Sequence, residues 1–157
     1  MNAVQSHKRP LKNGIDFGFV GDVDHVNGYA LQLLLQQEIT PVMAPLTHDG
    51  QGNILNTNAD TMASEVAKAL SRFFNVTLIY CFEKPGVLRN PADEASLIPV
   101  ITREEFSGYV ADGTVSGGMI PKLENALAAV DHGVSKVIIT LATAIDGKHG
   151  TVIQRRK

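Results

Sequence analysis

Two uninterrupted apolar runs, Val76–Phe82 (VTLIYCF) and Ser135–Ala142 (SKVIITLA), set the terms on which this chain can fold. Neither alternates with polar residues, so each reads as a buried strand, and the first as a central strand covered on both faces. Around them lie stretches whose apolar residues recur at three and four. Ala59, Met62, Ala63, Val66, Ala67, Leu70 and Phe74 predict a helix to about Phe73, with Asn58 as its N-cap. Pro121 opens another, with Leu123, Ala126, Leu127 and Val130 on one face and Gly133 just past its end. Strands alternating with helices imply the α/β class, a layered αβα sandwich on a largely parallel sheet, with ligands at the C-terminal edges of its strands.

The remaining segments are less constrained. Asp22–Gln37 has helical spacing weakened by Gly28, and Ile39–Leu46 (ITPVMAPL) reads as a short buried strand. The Asp-Gly and Gly-Asn pairs of THDGQGN predict a hairpin turn. A weak helix signal covers Arg103–Tyr109, and GTVIQ is a last short strand. The opening, through Val23, supplies no strong strand ahead of the first helix, and one domain is expected over 1–157, with 1–14 flexible and 153–157 a tail.

Composition narrows the function. At 44% hydrophobic and 19% charged residues the chain is an ordinary globular protein, and a net charge of -2 carries no footprint for nucleic acid. The short basic runs at His7–Lys12 and Arg155–Lys157 read as solvated tails. A single cysteine, Cys81, allows no internal disulfide and is expected to be buried in its strand. No apolar stretch reaches the roughly 18 residues of a membrane span and no signal-peptide core is present, so a cytoplasmic protein without membrane partners is expected. The five histidines are scattered, and no metal site is expected.

Three constellations carry chemistry. In LNTNAD, alternation sends Asn56, Asn58 and Asp60 to one side, where the following helix also turns its free N–H groups. Asn56 can both donate to and accept from a polar ligand, and Asp60 can orient a cation such as a lysine; equally, Asn58 can cap, Asp60 can favour the dipole and Asn56 can make a turn. In SGGMIPKLENAL, Gly117 and Gly118 permit close backbone approach, and Lys122 in a first helical turn opposes the macrodipole by a few tenths of a kcal/mol. A phosphate would compensate, and so would reach into solvent. In CFEKPGVL, a charged turn with Gly86 closes a buried strand where open α/β sheets bind nucleotides. Neither a P-loop nor a dinucleotide fingerprint occurs, and DGKHGT suggests one only superficially.

Taken in order, GFVGDVDHVN, LNTNADTMASEVAKAL, GVL, GGMIPKLENAL and GTVI resemble the C-terminal, nucleotide-binding half of the N-acetylglutamate kinases, in the amino-acid kinase superfamily. The resemblance covers nearly the whole chain. It implies transfer of the γ-phosphoryl group of ATP, taken with Mg2+ as a substrate complex and with no tightly bound cofactor, to the side-chain carboxylate of N-acetyl- or N-succinyl-L-glutamate in arginine biosynthesis. By the same resemblance, Asn56 would contact the acylglutamate and Lys122 would stabilise charge on the transferring group. Asp60 would orient Lys122 and a second lysine. Glu83, Lys84, Pro85, Gly86, Val87 and Leu88, with Thr114, Val115 and Ser116, would surround the nucleotide.

The chain departs from that pattern in three ways. The family's N-terminal half, with its K-x-G-G strand and second catalytic lysine, has no counterpart, so low activity is expected of the chain alone. Glu83-Lys84-Pro85 stands where an Asp with small residues is usual, and Gly117-Gly118 where Asp-Gly is usual. A homo-oligomer, or a partner supplying the missing half, is expected. An amino-acid kinase with another acid substrate, and a non-catalytic nucleotide-binding or assembly module, are the alternative readings.

Overall fold

The computed structural model describes residues 3–156, and divides them into two compact units that meet in sequence between Phe73 and Phe74. Met1 and Asn2 of the 1–14 segment, and Lys157 of the tail, lie outside the described residues.

The first unit begins with strands where none was expected. β1 (Val4–Lys8) pairs antiparallel with β2 (Gly21–Val26), from Val4 opposite Val26 to Lys8 opposite Gly21, with a bulge between Gln5 and Ser6. The ladder carries polar contacts that a sequence pattern does not announce: His7 Nδ1 lies 2.6 Å from Asp24, and Arg9 pairs with Asp22 through three contacts of 2.6–3.1 Å. The expected helix over Asp22–Gln37 is therefore shortened at its start. Residues 22–26 are claimed by pairing with β1, and α1 (Gly28–Gln36) begins only after Asn27, whose side chain accepts the Ala30 N–H at 3.0 Å. Gly28 weakens nothing here: a Cβ would stand 3.0 Å from the Ala69 carbonyl oxygen, so glycine lets α1 approach α2 (Ala59–Leu70).

β3 (Leu46–His48) and β4 (Ile54–Asn56) form the expected hairpin, closed by Asp49, whose carboxylate accepts from the main chain of Gln51 and Asn53. The strand expected over Ile39–Leu46 is corrected: only Leu46 lies in a strand. The sheet order is β2-β1-β3-β4, and Ala3, Val4, Val26, Leu31 and Met62 form the core that α1 and α2 share with it.

The second unit holds β5 (Thr77–Phe82), β6 (Val100–Ile101), α3 (Arg103–Ala111), α4 (Met119–Asp131), β7 (Lys136–Leu141) and β8 (Thr151–Ile153), in the sheet order β5-β7-β8-β6. Of the two apolar runs, the second is the central one. Val137, Ile138 and Ile139 of β7 are fully buried, whereas β5 ends the strand order and Cys81 is exposed, not buried. A continuous apolar run reports what its faces meet, not whether both its edges are paired. α3 starts with a capping box between Thr102 and Glu105, and α4 buries Leu123, Ala126, Leu127 and Val130, the face its spacing predicts.

The α/β class is as expected, but the parallel sheet is so only in part. In two four-stranded sheets, the parallel pairs β1/β3, β5/β7 and β6/β8 are matched by the antiparallel pairs β1/β2, β3/β4 and β7/β8.

Candidate active site

In the first unit the LNTNAD segment is held by what it buries. Leu55 and Thr57 point inward, Thr57 Oγ1 donating to the Gly21 carbonyl at 3.2 Å and lying 3.1 Å from Thr47 Oγ1. Asn56 and Asn58, between and after them, are consequently exposed. Asn56 is no turn residue: it ends β4, and its N–H is fixed to the Phe19 carbonyl at 2.7 Å, leaving its side chain on the open side. Asn58 is the cap, its Oδ1 accepting the Thr61 N–H at 2.9 Å. Asp60 stands half-buried in the first turn of α2, the end at which a carboxylate favours the dipole. Of the local roles expected here, Asn58 is the cap and Asp60 stands at the favourable end of the dipole, whereas Asn56 makes no turn.

The other candidates lie in the second unit. The segment after β5 is two things in sequence. Glu83 and Lys84 are exposed and Pro85 half-buried, but Gly86, Val87 and Leu88 are buried and tied down. The Val87 N–H donates to Thr151 Oγ1 at 2.8 Å, its carbonyl accepts from Ile98 N at 2.8 Å, and Leu88 bridges Leu97. Gly86 has no room for a side chain, since a Cβ would fall 2.6 Å from Thr151 Oγ1 and 2.7 Å from Leu97 Cδ1. So Glu83, Lys84 and Pro85 present the turn, and Gly86, Val87 and Leu88 hold it.

Thr114, Val115 and Ser116 divide in the same way. Val115 is buried, its N–H bonded to the Tyr109 carbonyl at 2.8 Å, while Ser116 is exposed and Thr114 half-exposed. The Thr114 N–H donates to Asp112 Oδ1 at 2.9 Å; that bond first, then the Thr114 side chain and the charge of Arg89, hold the Asp112 carboxyl below the usual carboxylate range. Arg89 is a residue that sequence reasoning missed. Its guanidinium stacks 5.2 Å from the Tyr109 ring centre and donates to the Tyr109 hydroxyl at 3.1 Å, linking the turn after β5 to the last turn of α3.

Lys122 completes this side. It follows Pro121 in the first turn of α4 and reaches the end of β5, where its ammonium lies 4.3 Å from the centre of the Phe82 ring. So placed, the ammonium meets a ring face, whose attraction for a cation of roughly 0.5–1 kcal/mol is comparable to what the dipole costs it. Phe82 is the second residue missed; its position immediately before Glu83 was the available signal. The helix start is bare of side-chain capping: Gly118 as N-cap makes no side-chain bond, Met119 and Ile120 turn their N–H groups back to Ser116 and Gly117 at 3.2 Å, and Pro121 has none. Nothing lies within 4 Å of the Cβ positions of Gly117 or Gly118, so the backbone there is open to a ligand. The DGKHG loop is a turn organised by Asp146, which accepts from Lys148 N at 2.8 Å and His149 N at 3.0 Å. Among the described residues no group of three or more His, Cys, Asp or Glu could hold a metal ion, and no helix is long and apolar enough to cross a membrane.

The sequence profile of the Amino acid kinase family matches residues 2–141. The acetylglutamate kinase of Phocaeicola vulgatus is 61% identical over 155 residues, which are 99% of this chain and 60% of that protein. A solved structure from Streptococcus mutans, smu.665, is 31% identical with a TM-score of 0.76, over 97% of this chain and 56% of its own. N-acetylglutamate synthase from Neisseria gonorrhoeae, solved with coenzyme A and L-arginine, shares the fold at a TM-score of 0.84 and 22% identity, covering 98% of this chain and 37% of that one. The chain spans about three fifths of the length of the curated relatives it matches.

Proposed function

The chain belongs to the amino acid kinase family, and we propose that it is the nucleotide-binding part of an acylglutamate kinase of the cytoplasm. The reaction is transfer of the γ-phosphoryl group of MgATP to the side-chain carboxylate of N-acetyl-L-glutamate, or of N-succinyl-L-glutamate. A carboxylate oxygen forms the new bond to phosphorus as the bond to the bridging oxygen breaks, and ADP departs. No general base is required, because a glutamate carboxyl with an ordinary pKa near 4.3 is already ionised at neutral pH. What remains for a protein is alignment and stabilisation of charge.

The observation that carries this reading is the placement of Lys122. Its ammonium lies over Phe82 at the C-terminal end of β5, one residue before Glu83, on a helix preceded by two glycines with open space at their Cβ positions. In the reading, Lys122 stabilises the charge of the transferring phosphoryl group. Glu83, Lys84 and Pro85, with Thr114 and Ser116, face the nucleotide, while Gly86, Val87, Leu88 and Val115 fix the backbone behind them. Asn56 contacts the acylglutamate, and Asp60 orients a catalytic lysine. The identity to acetylglutamate kinases over nearly the whole chain supports the choice of acid within the family. The chain spans about three fifths of the length of those relatives, and the activity proposed is that of the whole enzyme, which we take to be a homo-oligomer.

A calorimetric titration of the chain with MgATP, beside Lys122→Ala, tests the reading. Saturable binding that the substitution weakens about tenfold, the loss of one charge-assisted contact of roughly 1.4 kcal/mol, is the expected result. A folded chain that binds no MgATP, or binds it equally well without Lys122, would leave the assembly-module reading in its place.

A further inference from the structure

Two segments of the second unit, 83–88 and 114–116, face the nucleotide in the reading above, and Arg89 stands where the bonds that hold them meet. Its own backbone is fixed. Leu88 before it is buried and bridges Leu97, and the Arg89 N–H donates to the Ser96 carbonyl at 3.0 Å. The side chain therefore leaves from an anchored point at the end of the first segment. It lies on Tyr109, 5.2 Å from the ring centre, and donates through Nη2 to the Tyr109 hydroxyl at 3.1 Å. Tyr109 is in turn the residue whose carbonyl accepts the Val115 N–H at 2.8 Å.

Arg89 bears on the second segment by another route as well. Asp112, the C-cap of α3, accepts the Thr114 N–H at 2.9 Å. After the main-chain and side-chain bonds of Thr114, the charge of Arg89 helps to hold the Asp112 carboxyl below the usual carboxylate range. One guanidinium thus acts on both residues that fix the main chain of Thr114 and Val115. The segment is flanked by Gly113 and Gly117, and nothing lies within 4 Å of either Cβ position, so packing does not brace its ends. Beside the buried Val115 side chain, the bonds to Asp112 and Tyr109 hold it on the α3 side.

We propose that Arg89 is a positioning residue for the nucleotide: by holding Tyr109 and Asp112 at once, it locks 114–116 to the turn after β5 and presents the two segments as one preformed surface. It acts through those two residues and does not itself touch the nucleotide. The proposal rests on the nucleotide reading above. Arginine suits the task because a planar guanidinium can lie against a ring, donate to its hydroxyl and keep its charge, whereas a lysine offers a point charge alone. A surface already ordered in the free chain spares binding the cost of ordering it.

The test joins amide exchange to MgATP calorimetry on the wild type, Arg89→Met, Arg89→Lys, Asp112→Ala and the double variant Arg89→Met with Asp112→Ala. Arg89 is exposed, so its variants are expected to keep the circular dichroism of the chain. Without ligand, exchange at the Thr114 and Val115 amides is expected to speed up about 5- to 10-fold in Arg89→Met, while Val87, held by Thr151, exchanges as in the wild type. MgATP affinity is expected to fall about 3- to 5-fold in Arg89→Met, and Arg89→Lys to recover only part of it. In the double variant the loss stays well short of the product of the two single losses, because both residues act on one segment. Losses that multiply would make Arg89 a separate contact and overturn the proposal. So would full recovery by lysine, or unchanged exchange at Thr114 and Val115 in Arg89→Met. A wild type that binds no MgATP, with exchange still faster in Arg89→Met, removes the nucleotide reading and leaves the coupling of the two segments standing. A wild type that binds MgATP, with Arg89→Met equal to it in both measurements, removes the coupling only.

Discussion

Lys122 and Phe82 lie forty residues apart in sequence, on α4 and at the end of β5, and the fold brings the ammonium to 4.3 Å from the ring centre. The pair fixes where the charge of the candidate phosphate site stands. Phe82→Leu keeps an apolar side chain at the strand end but removes the ring face. MgATP affinity is expected to fall about 2- to 5-fold, the equivalent of roughly 0.5–1 kcal/mol, and calorimetry on the folded variant measures it. Unchanged affinity would mean that the ring plays no part in placing the lysine.

Gly86 and Gly118 separate packing from ligand access. A methyl at Gly86 would strike Thr151 and Leu97, so Gly86→Ala is expected to destabilise by about 1–3 kcal/mol in a denaturant titration. Gly118 has open space around its Cβ position, so Gly118→Ala is expected to stay within about 0.5 kcal/mol in stability while weakening MgATP binding. Equal stability losses at the two positions would contradict this assignment.

Asn56 and Asn58 are expected to fail differently. Asn58→Ala removes the cap of α2 and is expected to cost about 1 kcal/mol, read from the denaturation midpoint. Asn56→Ala, with its side chain exposed, is expected to leave the midpoint in place and to reduce binding of N-acetyl-L-glutamate about tenfold. A midpoint shift at Asn56 with no change in binding would make it a structural residue.

The Arg9–Asp22 pair sets an acid dependence. The hydrogen bond from Arg9, more than its charge, holds the Asp22 carboxyl below the usual range. A carboxyl depressed in the folded state contributes stability above its unfolded value, near 3.9, and loses it as pH falls through the folded value. Thermal melts of the wild type are therefore expected to fall in temperature below about pH 4 more steeply than those of Asp22→Asn. Because the pair is more than a third exposed, the difference is expected to be at most about 1 kcal/mol. Parallel curves for the two proteins would refute the assignment.

Sequence by itself determined the elements that carry their own local signal. α2 starts at Asn58 because an asparagine can accept from its third following residue, and α4 buries Leu123, Ala126, Leu127 and Val130 because those positions recur on one helical face. The Asp49–Gly52 turn and the alternation that exposes Asn56 are local in the same sense. Tertiary structure decided whatever depends on a partner distant in the chain. Residues 22–26 have helical spacing but become β2 because β1 offers them a ladder, and β5 reads as central yet stands at the end of its sheet order. Gly86, Val87 and Leu88 are backing rather than surface because Thr151 and Ile98 occupy their main chain, and Lys122 acquires Phe82 only when α4 reaches the end of β5. Periodicity and capping report contacts within a few residues of each other, whereas strand order, edge pairing and the approach of a cation to a ring are set by which surfaces the whole unit brings together.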